Sequence, residues 1–99
     1  MATADVITDF VTKVDKIDFT IAAAATGSAA NYKEATAAVA DFATALAAAN
    51  VALDGTVKYS VQQVGSDSYV FFGNAAAIAT EIVKLTGVAL TGVEFADIA

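Results

Sequence analysis

The feature that most constrains the fold is a two-residue alternation on either side of Gly65-Ser66-Asp67. Val57, Tyr59 and Val61 alternate with Lys58, Ser60 and Gln62, and the run Ser68-Tyr69-Val70-Phe71-Phe72 follows the glycine. Residues two apart on a strand share a face, so β-branched and aromatic side chains at this period around a Gly-containing turn predict a β-hairpin. Gly73-Asn74 breaks the second strand, and Glu81-Ile82-Val83-Lys84-Leu85 predicts another. Near the start of the chain, Asp5 to Phe10 and Lys16 to Ile21 read as two short strands joined by a turn at Thr12-Lys13-Val14-Asp15. In the second of these, Ile17, Phe19 and Ile21 share one face opposite Lys16, Asp18 and Thr20.

Between these β-patterned stretches the period changes. Ala22 to Ser28 is small, low in complexity and Gly-containing, which suits a loop. Asn31 with Glu34 three residues on resembles a capping box. Ala35, Val39, Phe42, Leu46 and Ala49 then recur at steps of four and three, which predicts one amphipathic helix over residues 31–50. Alanine supplies its propensity, while Val39, Phe42 and Leu46 supply apolar area. The expected architecture is a small α+β domain over residues 1–99, with an antiparallel or mixed sheet of about five strands packed by one main Ala-rich helix.

The residues this chain lacks narrow its chemistry. Its 99 residues include no Cys and no His, and all five cations are Lys. Without His, general acid–base catalysis loses its commonest agent and transition metals lose their commonest ligand. Without Cys there is neither a disulfide staple nor a thiolate. Ser and Thr abound but have no partner base of the kind that activates a hydroxyl nucleophile, so the chain does not read as an enzyme. A net charge of -6 and scattered lysines argue against nucleic acid, whose affinity comes from clustered cations. No apolar run approaches the roughly 18 residues of a membrane span, so no membrane insertion is expected. Met1 to Asp5 has neither the basic nor the apolar region of a secretory signal peptide.

Asp5, Asp9, Asp15 and Asp18 form the densest carboxylate series. Hard oxygen ligands suit Ca2+, which takes about six to eight of them, and no other metal fits this residue set. The spacing is not that of an EF-hand loop. Aspartate also ends strands and initiates turns by bonding nearby backbone, so both readings of these residues stand.

Two stretches carry a family resemblance. Asp5-Val6-Ile7-Thr8-Asp9-Phe10 followed by Val14-Asp15-Lys16-Ile17-Asp18-Phe19 resembles the D-x-I-x-D-F…D-K-I-D-[LF] segment after the calcium-binding β-roll of RTX proteins, including serralysin-type proteases and S-layer-like proteins. Tyr59, then Gly65-Ser66-Asp67-Ser68-Tyr69-Val70-Phe71, then Ile82-Val83-Lys84-Leu85-Thr86-Gly87-Val88, is similar to the G-G-D-T-Y-[VL]-F…[LV]-V-K-L-x-G segment of the same C-terminal modules. Glu94, Phe95, Ala96, Asp97, Ile98 and Ala99 look like the acidic-then-apolar secretion tail of such proteins. No G-G-x-G-x-D-x-U-x nonapeptide occurs, and the Ala-rich stretch around 31–50 stands as an insertion between the matching segments.

The resemblance implies a non-catalytic bacterial module exported by type I secretion machinery without a cleaved N-terminal signal, to the cell surface or the extracellular space. It implies Ca2+ as the one candidate cofactor, with Asp9, Asp15 and Asp18 as candidate ligands. Three function classes follow. The first is a self-assembling structural protein, a homo-oligomer through strand edges, forming an array or filament. The second is the secretion-signal and β-roll-capping module of a larger RTX protein. The third is an enzyme, which the missing His and Cys disfavour. For self-association the expected contacts are Asp5 to Phe10 and the tail Val93 to Ala99, whose apolar side chains have no evident internal partner in the sequence.

Overall fold

The computed structural model describes residues 5–17, 27–73 and 79–98. The alternating segments form one five-stranded sheet from β1 (Asp5–Ile7), β2 (Tyr32–Glu34), β3 (Tyr59–Val64), β4 (Asp67–Phe72) and β5 (Glu81–Leu85). Its order is β1-β5-β4-β3-β2. The β3–β4 and β4–β5 pairs are antiparallel, while β1 runs parallel to β5 and β2 parallel to β3. The sheet is therefore mixed. Gly65 opens the tight β3–β4 connection with φ of +60°, a conformation that costs glycine nothing.

A single α-helix among the described residues, α1 (Phe42–Ala52), packs on one face of this sheet, which makes the chain a small α+β fold. Parallel strands need a crossover, and α1 lies within the one that joins β2 to β3. The helix begins eleven residues later than the 31–50 reading. Asn31 does not cap it; the Asn31 side chain accepts from the Ser28 amide instead. The chain from Asn31 onward has a better outlet for its backbone groups. Asn31 accepts from Tyr59 N, Ala35 N donates to Val61, and Val39 N donates to Gln63, so this stretch lies along β3. Tertiary pairing overrides helix propensity there. Asp41 is the true N-cap, its carboxylate accepting from the Thr44 amide at 2.8 Å.

Each sheet face has its own core. Under the helix, Ala45, Ala49 and Leu53 meet Phe71, Ala79 and Ile82. On the other face, Tyr59, Val61, Val70, Phe72, Val83 and Leu85 meet Phe10, Ile17, Leu90, Val93 and Ile98, which come from irregular chain and short 3-10 turns. The second predicted strand, Lys16 to Ile21, is represented by Ile17, which forms an isolated parallel bridge with Ile98. Asp18 to Ile21 lie outside the described residues, as do Ala22 to Thr26 of the predicted loop.

Candidate functional site

The C-terminal segment is not a loose tail. Its Val93 and Ile98 belong to the core, which removes them from the expected self-association surface, and Phe95 alone of its large side chains is exposed. The segment is clasped between two other pieces of chain. The Ile17 amide donates to the Asp97 carbonyl at 2.7 Å, and the Gly27 amide donates to the Ile98 carbonyl at 3.2 Å. The Lys16 ammonium caps the Ala96 carbonyl. A side chain at position 27 would collide with the Phe95 carbonyl and the Ile98 side chain, so only glycine permits this approach.

Asp97 organises the clasp. Its residue is wholly buried, and its carboxylate accepts from the Thr12 hydroxyl at 2.6 Å, the Lys13 amide at 2.9 Å and the Glu94 amide at 3.0 Å. Glu94 and Asp97 also form a reciprocal capping box across the 3-10 turn Phe95–Asp97. To present its amide, Lys13 takes a left-handed φ of 67°, which costs a non-glycine residue about 1 kcal/mol. A buried carboxylate with several donors is affordable because charge-assisted hydrogen bonds replace its lost water. In sequence this residue reads as an ordinary acidic tail position. Within the turn Thr12 to Asp15 the Val14 and Asp15 amides bond the Val11 carbonyl, and the Lys13 amide alone takes Asp97 as a distant acceptor.

The candidate calcium residues are not drawn together in the same way. Asp9 is exposed. Asp15 spends one carboxylate oxygen on the Val11 amide at 2.8 Å, closing its own turn. Asp18 lies outside the described residues. Among the described residues no group of three or more His, Cys, Asp or Glu side chains is placed to hold a metal ion.

The other candidate surfaces are a groove and two sheet edges. The groove, about 360 Å³, lies between residues 33–39 and the C-terminal half of α1, and Gln62 and several alanines line it. Near it, the Tyr32 hydroxyl donates to Glu34 at 2.7 Å; burial and that carboxylate push its pKa far up, so it remains a neutral donor. At the edges, β1 and β2 each have a neighbour on one side only among the described residues, and Val6 in β1 is 56% exposed. No helix among the described residues is long and apolar enough to cross a membrane. No protein-family profile, curated protein or solved structure matches this chain.

Proposed function

We propose that this chain is a non-enzymatic structural protein of the bacterial cell surface or extracellular space, exported by type I secretion and self-assembling into an array or filament. The observation that carries the assembly reading is the open sheet: among the described residues nothing pairs with the outer sides of β1 and β2, and unpaired edges are templates for further strands. Export rests on the resemblance of the two sequence segments and the tail to RTX modules. The clasp adds a condition to it. Asp97 and Ile98 are buried in the folded chain, so an exporter that reads the tail must read it before the clasp closes.

Calcium enters this reading as a cation bridging exposed carboxylates of neighbouring copies, Asp9 among them, since Asp15 is committed to its turn. Sedimentation of the purified chain over a wide concentration range tests the assembly. Mass rising above the 10.0 kDa chain supports it, and a strictly monomeric species with and without Ca2+ rejects it. For export, deleting Phe95 to Ala99 is expected to abolish release through a type I exporter, whereas Asp97→Ala, which opens the clasp and leaves the tail in place, is expected to preserve it. Full release of the truncated chain would reject the tail assignment.

A further inference from the structure

We propose that copies of this chain join edge to edge, the outer side of β2 in one copy pairing in parallel with the outer side of β1 in the next, so that the sheet continues from molecule to molecule. This rests on the assembly reading above and names its contact. The direction of the strands permits it. β3 and β5 are both antiparallel to β4 and so run the same way; β2 is parallel to β3 and β1 to β5, so the two edge strands point alike. A copy displaced along the sheet without rotation therefore offers β1 parallel to β2.

The hydrogen-bonding phase fits as well. Asn31 accepts from Tyr59 N and Ala35 donates to Val61, so alternation along β2 turns Lys33 toward β3 and leaves the N–H and C=O of Tyr32 and Glu34 facing out. Ile7 accepts from Thr86 N, so in β1 the outward residue is Val6. Among the described residues nothing pairs with these outward groups. Setting Tyr32 opposite Asp5, Lys33 opposite Val6 and Glu34 opposite Ile7 lets Val6 N–H donate to Tyr32 C=O and Glu34 N–H donate to Val6 C=O. The same register matches faces, because Tyr32 and Ile7 both pack against the core on the tail side. A slip of one residue would lose the phase and the face together.

Charge selects this pairing over the symmetric ones. A two-fold β2–β2 contact would set exposed Lys33 against Lys33, and like charges directly opposite each other destabilise a strand pair. A β1–β1 contact would double the carboxylates of the Asp5 to Asp9 stretch in a chain that already carries -6. The mixed contact avoids both, because it sets Lys33 opposite the uncharged Val6 and Glu34 opposite the uncharged Ile7. Because it joins two different surfaces by a displacement that does not close, it builds a filament.

Two edge caps test it. Val6→Pro and Glu34→Pro each remove one outward N–H at an edge position, where proline is tolerated, and amide dispersion in NMR spectra verifies that each variant folds. Wild-type mass is expected to rise with concentration, and each variant alone is expected to stay a single chain. An equimolar mixture is expected to form a one-to-one pair and stop, since Val6→Pro keeps a competent β2 and Glu34→Pro a competent β1. If Val6→Pro unfolds the chain, Val6→Lys sets a like charge against Lys33 and is expected to arrest assembly, with Lys33→Glu in the partner restoring the pair. Growth of the Val6→Pro chain to wild-type size, or a homodimer of either proline variant, would overturn the edge pairing and leave self-assembly standing. A wild-type chain that stays monomeric would overturn both.

Discussion

The two faces of the sheet are covered by opposite means. On one face lies a regular helix whose contact residues are largely alanine, with Ala45 and Ala49 buried against Phe71 and Ile82. A helix satisfies its own backbone, so this cover needs polar help only at its ends: Asp41 caps the start, and the Leu53 amide returns to the Ala49 carbonyl at the finish. The other face is covered by irregular chain, which buries larger side chains but brings backbone donors with no internal partners. Asp97, Gly27 and the left-handed Lys13 exist to meet that need. The helix face should therefore be forgiving and the tail face brittle.

The largest expected effect comes from the brittle face. Asp97→Ala orphans the amides of Lys13 and Glu94 and the hydroxyl of Thr12. A fully buried unmet donor costs roughly 1–3 kcal/mol, and these three are only partly buried and open to some rescue by water, so the loss should be about 3 kcal/mol in urea denaturation. Asp97→Asn keeps one acceptor oxygen and should lose about half as much. Gly27→Ala should be comparably damaging, because the added methyl meets backbone rather than a movable side-chain tip. A loss below about 0.5 kcal/mol for Asp97→Ala would erase the distinction between the faces.

Smaller losses are expected under the helix. Ala49→Gly removes one buried methyl and adds backbone entropy, for about 1–2 kcal/mol by the same denaturation assay. A loss equal to that of Asp97→Ala would mean that the helix is as tightly specified as the tail.

Acid should weaken the two ends of the helix region. The Thr44 amide hydrogen bond holds Asp41 below its ordinary pKa of 3.8, and the Val57 and Thr56 amides do the same for Asp54. A folded-state pKa below the unfolded one gives stability that is fully present above the unfolded value and is lost as pH falls through the folded value. Asp41→Ala should thus cost stability at pH 7, and its difference from wild type should shrink on acidification below about pH 4. A pH-independent difference would assign the loss to helix propensity rather than to the charged cap.

How far these features are legible in the sequence follows the same division. The β3–β4 hairpin and β5 announce themselves because two-residue alternation, a turn glycine and a strand break agree locally. The helix is legible as an element and not in its start: nothing within Tyr32-Lys33-Glu34 says that β3 will take those backbone groups before a helix can. The tail face is the least legible, since a bond from Thr12 to Asp97 spans 85 residues and leaves no periodic trace. Val93 and Ile98 looked partnerless in sequence because their partners, Phe10 and Ile17 among them, arrive from the opposite end of the chain. Among the candidate calcium residues, sequence shows the density of carboxylates but not that Asp15 closes its own turn.

Calcium supplies the finest test of the tail face. A resident ion held by the folded state would raise the melting temperature as the ligand concentration passes its dissociation constant, whatever the state of association. Ca2+ needs about six to eight oxygens, and on this face Asp97 already accepts from three donors while Asp15 gives one oxygen to the Val11 amide. The Val6→Pro chain, with one edge capped, should therefore melt at the same temperature in Ca2+ and Mg2+ at matched ionic strength. Wild-type chain should nonetheless scatter more light in Ca2+ than in Mg2+, because the larger ion accepts the irregular carboxylate geometry that two neighbouring copies present. A clear rise in the capped variant's melting temperature with Ca2+, absent with Mg2+, would break this account. It would place a resident ion on the brittle face, and Asp9→Asn and Asp18→Asn would then show whether those carboxylates hold it.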